Sequence, residues 1–439
     1  MRAQIRGLSQ AQNNTADGVS VLNTAEGAIT EIQSMLTRLK ELSVQAANDV
    51  NSDDEREAIQ KEIEQINNEI DRISDQTEFN TQSLINGNLS RRVYSDLQGV
   101  NQLSVSDSYT AGVYGITVTE DARQAIAVGA GSITMSSTAS ITEEQAGAIN
   151  INGYKISISE GDTLDKVMGK IIDGVNITGG SAFTVKDLNN DTAANGTDYA
   201  GYVPTADYAG STLVIMTNQY GSDQKMNITC DNAELADILG IPQAATQDGI
   251  YVEGSDVKAE IATGDDGKRI GFADSAILST KGTVITVTDV NNKEFSMDVP
   301  GNAAGTVFDD SNNDGQSAAG AGTARTISQE VTDVGTMSIH VGANQDQVIV
   351  IDIPAITTYS LGTEHMNVMT QYTASRAIST VDEAINKTNK IRSRIGAYEN
   401  RFDHTTNNLE VSSENLTKSL STMIDTDCLL YTSDAADEL

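Results

Sequence analysis

At both ends of the chain, apolar residues return every three or four positions over long stretches. Ile29, Ile32, Leu36, Leu39, Ser43 and Ala46 form one such series, and Ile5, Leu8, Thr15, Val19 and Leu22 continue it upstream with smaller residues at some points. This spacing is the seam of a helix packed against other helices. The pattern stops at Asn48-Asp49-Val50-Asn51-Ser52. Ser52 followed by Glu55 reads as a capping box, and Asp53 and Asp54 suit the positive end of a helix. A second helix therefore starts there, with Ile59, Ile63, Ile66, Ile70 and Ile73 as its seam. A third long helix near the carboxyl end carries Ile378, Val381, Ile385, Thr388, Ile391, Ile395, Tyr398, Phe402, Thr405, Leu409, Ser412 and Leu416. Run unbroken from residue 1 to 48, the first helix would be roughly 70 Å long at about 1.5 Å per residue, a rod.

No such helix buries its stripe alone, so the two chain ends are expected to pack into one bundle, with everything between them looped out. The intervening stretch is rich in Gly, Thr, Ser, Asp and Asn, with short β-branched runs that read as strands and turns. The expected fold class is α+β: an elongated antiparallel helical bundle formed by both chain ends, with a β-rich insertion of one or two small domains. The expected segments are 1–92 and 362–427 for the bundle halves and 93–361 for the insertion. The insertion divides further into 115–245 and 246–361.

Composition narrows the function. The 439 residues include no Trp, six Phe and four Pro, and the formal charge is −34, from 62 acidic and 28 basic residues. That balance repels phosphate backbones and disfavours nucleic-acid binding. Cys230 and Cys428 are the only cysteines and form neither a disulfide framework nor a metal pair. No apolar run approaches the length of a membrane-spanning helix, and the amino terminus lacks the apolar stretch of a secretory signal.

Chemistry-bearing motifs are sparse. His340, His365 and His404 are the only histidines, and none belongs to an HExxH pair. Each reads as a surface or packing residue. Asp309 to Gly315 and Asp187 to Asp191 faintly suggest calcium loops, but the first has no bidentate Glu where one is needed, and solvated turns are the better reading. There is no phosphate-binding GxxxxGK[ST] and no GxSxG elbow. Neither an enzyme nor a resident cofactor or metal is expected.

Several stretches resemble bacterial flagellins. Arg6-Gly7-Leu8, Ala11-Gln12-Asn13, Asp17-Gly18 and Thr24 to Ala28 are similar to that family's amino-terminal core. Leu36 to Asn48 (LTRLKELSVQAAN) is similar to its most recognisable segment, followed by Glu69 to Ile73 and Thr77 to Asn80. Ala384-Ile385, Arg394 to Ala397, Asn400-Arg401-Phe402, Asn408-Leu409 and Ser413 to Leu416 resemble the carboxyl-terminal core. Within the insertion, Ile151-Asn152-Gly153 with Ile156, Ile158, Asp162-Thr163-Leu164 and Ile171 resembles a small β-α unit named for its Ile-Asn pair, which Leu235 to Ile241 would close. Ile339 to Asn344 resembles the strand that leads back into the core.

The resemblance implies a non-enzymatic filament subunit that polymerises with copies of itself through packed helices. It further implies an extracellular location reached through the flagellar secretion apparatus, and an export chaperone and a cap protein as partners. Its core is assigned to Ile32, Leu36, Leu39, Ile59, Ile63, Ile66, Ile70, Ile395, Phe402 and Leu409. Residue-by-residue carry-over places the family's patch for vertebrate Toll-like receptor 5 at Arg38, Leu42 and Glu62, with Arg38 and Leu42 on one helix face. The same groups would otherwise make subunit contacts. The family's outermost helices, which build the inner tube, have no counterpart here, so the chain alone is not expected to polymerise. Cys428 to Leu439 departs from the helical pattern and reads as translated sequencing adapter, a non-native tail. The rival readings are a hook-filament junction protein, which shares related helices, and a surface adhesin with its activity in residues 93–361.

Overall fold

The capping box at Ser52 divides the amino-terminal region as its chemistry dictates. In the computed structural model, helix α1 spans Arg2–Ala46 and α2 spans Asp53–Gln76. Ser52 Oγ accepts from Glu55 N at 3.3 Å, while Ser52 N donates to Glu55 Oε2 at 2.8 Å. Arg56 then reaches back to the end of α1, donating from Nε to the Ala46 carbonyl at 3.1 Å and from Nη2 to that of Asn48 at 3.2 Å. These carbonyls have no partner within the helix, and a cation there complements the negative helix end. The remaining helices are α3 (Leu164–Ile177), α4 (Ala233–Ile238), α5 (Thr358–Leu361) and α6 (Gln371–Asp437). At 67 residues, α6 is about 100 Å long. The structure describes residues 1–106, 109–129, 131–185, 208, 210–241, 249–264, 267–289, 293–301, 308–309, 318–319 and 324–437.

The two chain ends meet as their spacing demands. Leu22, Ile29, Ile32, Leu36, Leu39, Ile63, Ile70 and Phe402 are fully buried, Ile395 is nearly so, and Ile59 is also buried. All belong to one apolar core shared by α1, α2 and α6. Leu409 is buried farther along, with Leu8 and Ala11. Ile66 and Ile73 pack against the core only partly buried, while their neighbours Asn67 and Ser74 sit inside. A period of 3.6 drifts against a strict 3.5 seam, which brings these polar residues inward. Asn67 Nδ2 donates to the Thr363 carbonyl at 2.8 Å and Ser74 Oγ to that of Ile85 at 3.2 Å, so each stays hydrogen-bonded. Gly18 lies under the Phe402 ring, where an added Cβ would come within 3.0 Å of the ring edge. The close approach explains a glycine inside a helix. The helical backbone also continues to Asp437, so the expected loss of helix at Cys428 does not occur.

A two-stranded hairpin, Met337–His340 with Val348–Ile351, packs Ile349 and Ile351 into the same core. Asn14 Nδ2 of α1 donates to the His340 carbonyl at 2.9 Å. The insertion has two further cores. One lies between the sheet Ile250–Glu253, Lys225–Cys230, Gly147–Ile151, Tyr154–Ile158, a second sheet of Ile126–Val128, Thr212–Thr217, Gly180–Val185, and α3. Its hairpin turns in two residues, Asn152 (φ 52°) and Gly153 (φ 90°), between paired Ile151 and Tyr154. Positive φ at both central positions is the turn whose twist suits a hairpin, and Asn-Gly supplies it at least cost. Thr163 Oγ1 caps α3 by accepting from Lys166 N. The other core, containing Phe295, Phe272, Tyr109 and Tyr114, joins two four-stranded antiparallel sheets built from strands as distant as Val93–Ser95 and Arg325–Val331.

Phe402→Ala should destabilise the chain by about 3–5 kcal/mol through the cavity left at the seam. Gly396→Ala, on the same helix, should stabilise it by about 1 kcal/mol, because an added Cβ meets nothing within 4 Å. Urea unfolding of both variants checks the opposite signs.

Candidate assembly and recognition surface

Polar side chains stitch the flanks of the α1–α6 seam. Lys40 Nζ stands 2.6 Å from Asp382 Oδ1, Gln33 Nε2 donates to Asn389 Oδ1 at 3.0 Å, and Arg392 Nε donates to Glu26 Oε1 at 3.2 Å. The members of the Lys40–Asp382 pair are each more than 40% exposed, so the pair specifies which turns of the helices face one another more than it stabilises them. A more enclosed joint ties the hairpin to α6. Arg394 Nη2 donates to Asp352 Oδ2 at 2.9 Å and to its carbonyl at 3.0 Å, and Arg91 N donates to Asp352 Oδ1 at 3.3 Å. Burial pushes the Asp352 carboxyl above its ordinary range, and the Arg394 charge opposes that rise. The insertion is anchored to α6 by Lys281 with Glu383 and by Lys390 with Glu294 at 2.9 Å.

The structure brings together two of the three residues assigned to receptor recognition. Arg38 donates to Glu62 Oε1 from Nε at 3.0 Å and from Nη2 at 2.8 Å, and from Nη1 to Glu41 Oε2 at 3.2 Å. Hydrogen bonding to Glu62, then to Glu41, holds the guanidinium above its usual pKa. Both Arg38 and Glu62 are open to solvent. Leu42 does not join them on that surface, because it is 1% exposed and belongs to the helix core. The expectation that Leu42 shares an accessible face with Arg38 is corrected by the double packing of α1. Leu36, Leu39, Leu42, Ser43 and Ala46 are all buried, so at this level α2 and α6 together cover a face wider than a two-position stripe. Val44, by contrast, is 52% exposed nearby in sequence.

His340, His365 and His404 are all exposed. The acidic stretch Asp187 to Asp191 and residues 310–315 of the other lie outside the described residues. Among the described residues, no group of His, Cys, Asp or Glu is placed to hold a metal ion, and no helix is long and apolar enough to cross a membrane. The polar joints between distant segments escaped sequence reasoning. Lys40 and Asp382 are separated by most of the chain, and nothing local to either marks the other.

Comparison with known proteins agrees with this arrangement of ends and insertion. The bacterial flagellin N-terminal helical region matches residues 1–90, and the bacterial flagellin C-terminal helical region matches residues 378–433, a span that runs past Cys428. A flagellin of Clostridium tyrobutyricum is 36% identical over 194 residues, which are 38% of this chain and 51% of that protein, so the chain spans about half its length. A flagellin of Salmonella typhimurium is 28% identical over 450 residues, covering 97% of this chain and 81% of that protein. The solved structure of FliC from Burkholderia pseudomallei aligns with 88% of this chain and 99% of that one, at 14% identity and a TM-score of 0.25. With its two paired ends matching both helical regions of one family in order, this chain belongs to the bacterial flagellins.

Proposed function

We propose that the chain is a non-enzymatic part of the flagellar filament subunit, and that its helical bundle packs against the bundles of other copies in the filament. The observation that carries this reading is the continuous seam between α1 and α6, the two parts of the chain that match the flagellin terminal regions. Rods of roughly 70 and 100 Å far exceed what a small globular core needs. Identical rods that contact one another head to tail, without closing a ring, extend into an open helical polymer. Val44, Val50 and Val411 leave apolar surface on and beside the outer faces of the bundle, available for such contacts. The β-rich insertion, tethered to α6 by exposed ion pairs, faces outward in this reading. Export through the flagellar secretion apparatus, and an export chaperone and cap protein as partners, accompany the same reading.

Antibody raised against the purified chain should label the filament shaft along its length on cells that carry the gene, as seen by immunogold electron microscopy. Label confined to the junction of hook and filament would replace the reading with a junction protein. Label on the cell surface without filaments would replace it with an adhesin.

A second reading concerns innate recognition. The paired, solvent-open Arg38 and Glu62 favour a recognition patch for Toll-like receptor 5 that rests on these two charged groups, with Leu42 acting from beneath by holding α1 in place. In reporter cells bearing that receptor, Arg38→Ala combined with Glu62→Ala should lower the potency of the chain about tenfold or more, the scale of a lost interface anchor. Unchanged potency in the double variant, or a silent parent chain, overturns the reading.

A further inference from the structure

The turn between α1 and α2, the Asn152-Gly153 hairpin tip and the start of α6 converge on a cleft. One pocket there has a volume of about 360 Å³, and a neighbouring pocket of about 510 Å³ shares Asn152, Lys225 and Tyr372 with it. A volume of a few hundred Å³ suits one or two small rings. Three tyrosines from three separate elements line the smaller pocket: Tyr154 on the hairpin, Tyr251 on the strand at the far edge of the same sheet and Tyr372 in the first turn of α6. This grouping uses three of the protein's thirteen tyrosines, in a chain whose aromatic content is only 4%. Tyr251 is half exposed, and its hydroxyl donates to Glu253 Oε1 at 2.6 Å.

The rest of the lining selects the class of ligand. Asn152, Asn227 and Gln371 contribute side-chain amides, and those of Asn227 and Gln371 form no hydrogen bond to a described residue. An amide both donates and accepts, as the hydroxyls of a sugar do. The charged groups at the pocket balance: Asp49 and Asp53 against Arg56 and Lys225. Both cations are already engaged. Lys225 Nζ pairs with Glu253 Oε1 at 2.6 Å and lies 5.7 Å from the centre of the Tyr251 ring, while Arg56 caps α1. Within the smaller pocket an anionic ligand would find both cations already bonded, and a cation would find its carboxylates opposed by Arg56 and Lys225. Aromatic rings offer flat apolar faces to the C–H face of a pyranose, and amides at their rim take the hydroxyls.

We propose that this cleft binds a neutral saccharide unit, with Tyr251 and Tyr372 as stacking platforms and Asn227 and Gln371 as hydroxyl partners. The saccharide can arrive free or as part of a glycan carried by another protein, and both present the same ring. A printed panel of neutral and acidic oligosaccharides, probed with the full chain, tests the proposal. Saturation-transfer NMR with the best binder, free in solution and as a glycopeptide, then separates the two sources. The expected result is binding of at least one neutral oligosaccharide, weakened tenfold or more by Tyr251→Ala and by Gln371→Ala. Both residues are exposed, so neither substitution should disturb folding, and circular dichroism of each variant verifies this. Tyr251→Phe should retain most of the binding, because the ring face remains. No neutral sugar bound, binding of acidic sugars alone, or a neutral sugar held equally by Tyr251→Ala would each overturn the proposal. None of these outcomes bears on filament assembly, so the two readings fail separately.

Discussion

Two helices from opposite ends of the chain bury their apolar stripes against each other, and every other part of the molecule is arranged around that contact. Neither α1 nor α6 has enough apolar surface on its own side to stand alone in water, and a helix of that length gains its stability from packing rather than propensity. The seam holds Leu22, Ile29, Ile32, Leu36 and Leu39 of α1 against Ile395 and Phe402 of α6. α2 folds back to close the third side with Ile59, Ile63 and Ile70. Because the ends must meet, the residues between them form a closed excursion, and its two β-rich cores sit apart from the helical one.

Polar chemistry sets the register that apolar packing leaves open. A row of aliphatic side chains tolerates sliding by a turn, whereas Lys40 with Asp382, Gln33 with Asn389 and Arg392 with Glu26 are satisfied in one alignment. The buried Asp352 is a stricter lock. Its carboxylate is accommodated only because Arg394 and the Arg91 amide both point at it, and loss of either partner strands a charge away from water. That joint couples α6 to the hairpin and to the start of the insertion, so a shift in one is felt by the others.

Much of the helical architecture was legible in the sequence because its determinants are local. The Ser52–Glu55 box and the isoleucine series from Ile59 to Ile70 each rest on residues a few positions apart. What was not legible depends on distant partners. Leu42 has the spacing of a residue beside Arg38, but α2 and α6 together bury it, and only the tertiary arrangement reveals that. Asn67 and Ser74 enter the core through drift of the helical period, and each needs a backbone carbonyl from another element to do so. The sheets pair Arg325–Val331 with Val93–Ser95 and Gly112–Glu120, segments whose alternation says they are strands without saying which strand lies beside which. The Phe402 ring above Gly18 was not legible either, because Gly396 interrupts the equally periodic α6 with open space beside it.

Zero-length cross-linking of the native chain with a carbodiimide, followed by peptide mass spectrometry of the monomer, tests the union of the two ends most directly. The Lys40–Asp382 pair, at 2.6 Å, should yield an amide-linked peptide from α1 and α6 alongside the local Lys61–Glu57 link, also at 2.6 Å, which serves as an internal control for reactivity. Recovery of the local link without any link between Lys40 and the 380s would mean that the ends do not lie together, and the shared bundle would have to be abandoned.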